Sequence, residues 1–239
     1  MALAARRRQR ARPAAGAPSR ATAAAPPRRR GPRTASRSAV GTEAAVFHAA
    51  AIAFSARGFD SVGVGEIAAS AGVNKAMIYY HFTDKLGLYR EVVRDMLREA
   101  STRMTAIAES SHPAPARLER FIAAFVEMSD ARPWFPTLML REMAEGGPRL
   151  DPETLTLMRS VFAAFARIVH DGQAAGAFRK VNPVLAYMST VGPLLLNAAR
   201  ERAARQPGRG ELPMFVDVSH AALTAHMQQV ATGMLRKTP

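Results

Sequence analysis

Apolar residues recur at three- and four-residue spacing through most of the chain, and no alternating stretch suggests strands, so the pattern predicts an all-α protein. The first stripe, Val46, Ala49, Ala50, Ala53 and Phe54, marks one face of a helix that Thr42 can cap and Gly58 stops. Phe59 is placed to fold back on its end. A second helix begins near Val64, with Gly63 at the cap and Glu66 near the positive helix end. Ile67 and Ala68 face inward, and Ala68 is small because the next helix must cross closely. Gly72 supplies the left-handed backbone of the turn, Val73 plugs the corner beneath it, and Asn74 caps a third helix running Lys75 to Phe82. Ile78 and Phe82, four apart, form its core side.

Asp84 then caps a long helix reaching to about residue 110, with Leu88, Val92, Met96 (or Val93, Leu97) and Met104 as its apolar stripe. The run His112-Pro113-Ala114-Pro115 breaks it. Helical patterns follow near 115–130, 136–145, 151–177, 182–204 and 215–235, with Pro133, Pro136, Pro148 and Pro152 between segments or at their starts. Gly172 and Gly176 mark the end of the third of these.

The first three helices form the layout of a helix-turn-helix. Lys75, Ala76, Met77, Tyr79, Tyr80 and His81 occupy the outer faces of the third helix, many aromatic and hydrogen-bonding groups for so short an element. A helix of this size fits a major groove about 12 Å wide, with its first turn at base edges and its flanks at phosphates. Half-buried packing tyrosines in a small helical core would give a similar local pattern. The joint spacing of Ala68, Gly72, Val73, Asn74 and Ile78, with Asp84 and Lys85 opening a further helix, is more specific than either feature alone.

Over about residues 42–98 the chain resembles the TetR/AcrR family of bacterial transcription regulators. The resemblance rests on Ala50, Phe54, Gly58 and Phe59, on Glu66 to Val73, on Asn74 to Phe82, and on Asp84, Lys85 and Leu88. It implies that Lys75, Ala76 and Met77 lie at base edges, Tyr79 and Tyr80 at bases or sugar-phosphate, and His81 and Lys85 at phosphates. The expected DNA-binding set is Thr42, Gly63, Lys75, Ala76, Met77, Tyr79, Tyr80, His81 and Lys85. Ala68, Gly72, Val73, Asn74, Ile78 and Phe82 hold the motif together. Gly63 stands where the family usually has Ser or Thr, and Gly65 where some members reach a base, so specificity is expected to rest on the third helix. The resemblance also implies a homodimer formed through the last two helices, a double-stranded DNA operator, and a long helix that swings when an effector binds.

Beyond residue 120 lie eight of the twelve Met, interspersed with aromatic residues. Phe125, Met128, Trp134, Met139, Met143, Met158, Phe162, Phe165, Tyr187 and Met188 are candidates for an adaptable apolar effector pocket. For any single one of them, ordinary core packing is the stronger reading. The last two helical segments are apolar on more than one face and carry small residues, so they need cover that a two-fold partner would supply.

Charge changes the picture at one end. Lys+Arg number 33 against 19 Asp+Glu, net +14, yet residues 1–40 hold eleven Arg and no acid, leaving the rest near +3. That tail, rich in Ala, Arg, Pro, Gly and Ser, is expected to be disordered, as a bland extension or a DNA-tethering arm. Cysteine is absent, which excludes disulfides and thiolate chemistry; the six His show no metal-ligand spacing, no catalytic motif stands in the chain, and neither cofactor nor metal is expected. The apolar run Val184–Ala199 falls short of the roughly 20 residues of a membrane span. The expected organisation is a tail (1–40), a helix-turn-helix domain (41–88) with its connector to about 110, and an effector-binding and dimerisation domain (112–239), in a cytoplasmic regulator expected to act as a repressor that a small apolar or amphipathic effector releases from a palindromic operator. Two rivals stand beside it: an architectural DNA-binding protein driven by the tail, and a helical small-molecule carrier.

Overall fold

The computed structural model describes residues 32–204 and 218–236, the side chains of 32–40 and 202–204 excepted. Among them run nine α-helices: α1 (Pro32–Arg57), α2 (Val64–Ser70), α3 (Lys75–His81), α4 (Lys85–Glu109), α5 (Ala114–Ala131), α6 (Phe135–Ala144), α7 (Pro152–Ala174), α8 (Pro183–Ala204) and α9 (His220–Leu235). The described residues hold no strand beyond a single antiparallel bridge between Phe178 and Arg236.

One boundary departs from the sequence reading. α1 begins at Pro32, so Thr42 lies within the helix rather than capping it, and residues 32–40 of the expected tail are helical. Proline suits the first turn of a helix, and the residues between carry no interruption except Gly41, which costs about 1 kcal/mol. The remainder of the expected tail, residues 1–31, lies outside the described residues.

The caps behave as their residue types dictate. Asp84 accepts from the Gly87 amide at 2.7 Å, Asp151 from the Thr154 amide at 2.9 Å and hydroxyl at 2.6 Å, and Ser219 from the Ala222 amide at 3.2 Å. α1 packs on α2, α3 and α4, burying Val46, Ala50, Phe54, Ile67 and Ile78. α4 then runs along α7, its most extensive partner, and also meets α5 and α6. This double contact buries Val92 with Val93 and Met96 with Leu97, so the two alternative stripes are both used.

Gly172 has a different role from the one its sequence position suggested. It sits inside α7, where a Cβ would overlap the Phe178 ring, while the helix stops at Ala174 with Gly176 at φ +73° just beyond. The close approach lets the segment after α7 fold back, where Arg179 donates to the carbonyls of Met234 and Leu235 and ties down the end of α9.

Candidate nucleic-acid interface and effector cavity

The turn between α2 and α3 is built by main-chain bonds around Gly72, whose φ of +66° a residue with a side chain rarely adopts. The Val73 amide donates to the Ala68 carbonyl at 3.0 Å, and Asn74 accepts from the Ala76 amide at 3.0 Å, fixing the start of α3. Ile78 and Phe82 anchor α3 to the core; Phe82 is the extended residue that ends the helix rather than its last turn. Val73 packs partly buried against the same core, and Ala68 is buried.

With that side fixed, α3 shows Lys75, Ala76, Tyr79 and Tyr80 to solvent, two pairs four residues apart on one face. Tyr80 is 78% exposed, and the Lys75 ammonium lies 5.9 Å from the Tyr79 ring centre. Met77 is half-buried at the edge of this surface, and Gly63 and Gly65 are exposed beside it without side chains to add contacts. Lys85 stands 4.2 Å over the Phe59 ring at the start of α4, which positions its charge without burying it fully. His81 departs from the expected phosphate-facing role: its side chain is 9% exposed and its Nδ1 lies 3.8 Å from Glu43 on α1. As the last residue of α3, it is turned back toward the helix that the motif packs upon. Thr42 is half-buried in α1.

The motif is joined to the later helices by a buried polar cluster. Glu142 is 1% exposed, because it continues the buried face of α6 one turn after Leu138. It accepts from the Tyr89 hydroxyl of α4 at 2.6 Å, and from the Arg149 amide at 2.9 Å and guanidinium at 3.2 Å. Arg149 also pairs with Glu145 and reaches Asp60, in the α1–α2 loop, at 3.0 Å. The Tyr89 ring meets Phe54 and Phe59 edge-on, both at 5.2 Å. Burial, and then donation to Glu142, push the Tyr89 phenol well above its ordinary range.

A cavity of about 670 Å³ opens between α1, α4, α5, α8 and α9. Phe47, His48 and Ile52 of α1 form one wall and Phe125, Trp134, Leu194 and Leu223 much of the rest, with Trp134 edge-on to Phe47 at 6.1 Å. Of the ten residues expected to line an effector pocket, Phe125 and Trp134 border this cavity. Met128, Met139 and Phe165 are locked in the core, and Met158, partly buried, packs against it. Phe162 and Tyr187 form an aromatic cluster with Phe165 elsewhere, both ring pairs of Tyr187 at 5.4 Å. Met143 and Met188 point outward, 57% and 63% exposed. Helical spacing identifies an apolar face but not which faces meet and which frame a gap. The lining residues that sequence reasoning missed, His48, Asp95, Asp130, Glu201 and His220, are scattered over five helices with no local spacing to connect them. Glu142 did leave a signal, a carboxylate standing on the apolar period of α6.

Comparison with known proteins agrees with this geometry. Residues 46–92 match the family model described as bacterial regulatory proteins, tetR family, and residues 115–205 match a tetracyclin repressor-like C-terminal domain. The chain is similar to the HTH-type transcriptional regulator RutR of Escherichia coli O157:H7, 28% identical over 148 residues that span 62% of this chain and 69% of that protein. It is 30% identical to the HTH-type transcriptional repressor BepR of Brucella suis biovar 1, over 56% of this chain and 68% of that one. Among solved structures, that of the ketosteroid transcriptional regulator KstR2 of Mycobacterium tuberculosis shares the fold, with a TM-score of 0.67 at 18% identity over 82% of this chain and 95% of that one. The chain belongs to the tetR family of bacterial regulatory proteins and is a DNA-binding transcriptional regulator with a helix-turn-helix in α2 and α3.

Proposed function

We propose that the protein is a cytoplasmic repressor that binds a near-palindromic operator as a homodimer and leaves it when a small molecule fills the cavity beside α1. The observation that carries this reading is the outer face of α3. Lys75, Ala76, Tyr79 and Tyr80 stand exposed on a helix whose opposite side is fixed by Ile78 and Phe82, a surface suited to base edges and phosphates in one major groove. Lys85 supports it at the flank. The division of labour proposed is a reading head in α1–α3, α4 as connector, and effector binding and dimerisation in the helices from Ala114 onward, with α1 contributing a wall to the effector site.

Dimerisation accounts for the outer face of α8. Val184, Leu185, Met188 and Leu196 are exposed there, spaced so that they form a stripe, and Val230 is exposed on α9. A second copy related by a two-fold axis would cover them and set two copies of α3 about one helical turn of DNA apart, roughly 34 Å. Because α1 both supports α3 and walls the cavity, a ligand that shifts α1 changes how the two heads match the groove spacing. Operator and effector then weaken each other's binding by the same factor.

The test is footprinting and mobility-shift titration on DNA flanking the gene. Tyr80→Ala and Lys75→Ala are expected to weaken operator binding at least about tenfold without loss of helical signal, while removal of residues 1–31 leaves sequence preference intact. Binding that ignores sequence and vanishes with residues 1–31 would instead establish the tail-driven reading.

A further inference from the structure

The cavity's polar groups have a definite sign. Three carboxylates, Asp95, Asp130 and Glu201, face it against one guanidinium, Arg132. Arg132 is already engaged by Asp95 at 3.3 Å and by Glu99 at 2.6 Å. His220 lies between Asp130, 3.4 Å from its Nδ1, and Glu201, 3.1 Å from its Nε2, so among the described lining residues carboxylates outnumber guanidinium groups three to one. That local sign opposes the +14 of the whole chain. A second feature points the same way: Ser129 lines the cavity at 5% exposure, with its Oγ buried and without a hydrogen-bond partner among the described groups. A buried hydroxyl left so is costly unless a donor or acceptor reaches it.

We propose that the cavity takes an organic cation with an apolar body. This rests on the cavity being the effector site. The apolar body lies against Phe47, Phe125 and Trp134, and an ammonium group sits at the Asp130–Glu201 end, where the attraction of the largely buried Glu201 carboxylate is strengthened by its surroundings and Asp130 adds a second, more exposed one. A protonated amine brings N–H donors, matching an end of the cavity furnished with acceptors and the Ser129 hydroxyl. A fatty acid or other anionic amphiphile would place like charge against the same carboxylates and lose affinity there.

Three probes with one tail and different heads decide the matter: dodecylamine, dodecanol and dodecanoate, titrated at neutral pH into the full-length protein. Trp134 is the only tryptophan in the chain and lines the cavity, so its fluorescence reports occupancy of this site. Dodecylammonium is expected to bind at least about tenfold tighter than either of the others, equivalent to 1.4 kcal/mol. Nonspecific attraction to a +14 chain would favour dodecanoate, so it cannot mimic this order. In the double variant Asp130→Asn/Glu201→Gln the affinities of the three probes converge. The wild-type order alone suffices should that variant fail to fold. If dodecanol binds and the cation gains nothing, or dodecanoate binds best, the cation assignment is wrong and the effector cavity stands; if no probe moves the Trp134 signal, the cavity reading falls as well.

Discussion

Replacing Tyr89 with Phe removes one oxygen from the joint between the reading head and the helices behind it. The ring stays, with its edge-on contacts to Phe54 and Phe59 at 5.2 Å, so packing is unchanged to first order. What is lost is a 2.6 Å hydrogen bond to a carboxylate that is 1% exposed. Hydrogen bonds to charged groups contribute about 1.5–3 kcal/mol. Glu142 keeps Arg149 on both of its oxygens, so the loss belongs in the lower part of that range, about 2 kcal/mol, or a fall of roughly 4–8 °C in Tm for a chain of this size. Urea unfolding at constant m measures it. The decisive comparison is the same change made on a Glu142→Leu background, where the hydroxyl has no carboxylate to donate to. There Tyr89→Phe is expected to cost nothing or to stabilise, because it removes a buried donor already deprived of its partner. Equal losses on both backgrounds would refute the reasoning, since they would show that the hydroxyl acts independently of Glu142.

Gly172→Ala is expected to destabilise by about 3 kcal/mol in urea, because its Cβ overlaps the Phe178 ring rather than the movable end of a flexible side chain; truncating the ring as well, with Phe178→Ala, should make the added methyl tolerable, and a harmless Gly172→Ala would refute the packing. Alkaline pH should unfold the protein through its buried phenols: burial pushes Tyr187 up to about 12, and burial with the Glu142 bond pushes Tyr89 higher still. Their contribution is therefore complete below the unfolded value near 10 and is lost as pH rises beyond it, so the urea midpoint should fall from about pH 10 upward, and less steeply in Tyr187→Phe. Leu185→Glu, at an exposed position of α8, should convert the proposed dimer to monomers in sedimentation runs while the helical signal stays; an unchanged mass would refute a dimer contact on this face.

Much of the fold was legible because helices announce themselves locally. The stripe from Val46 to Phe54, the Gly72 turn, the Asn74 and Asp84 caps and the prolines near helix starts each follow from the conformational preferences of single residues and their near neighbours. So does the face of α3, since Ile78 and Phe82 define its inner side and leave Lys75, Ala76, Tyr79 and Tyr80 outside. His81 shows the limit: only the position of Glu43 on another helix turns it inward.

The helices and the shape of the reading surface are thus properties of the chain itself, fixed by periodicity, capping and backbone freedom over a few residues. The cavity, the burial of Glu142 and the outward turn of Met143 and Met188 were decided by tertiary structure, because each depends on which of several apolar faces meet across long stretches of chain. Tyr89 and Glu142 are separated by 53 positions, Arg149 and Asp60 by 89, and no local spacing encodes such a meeting.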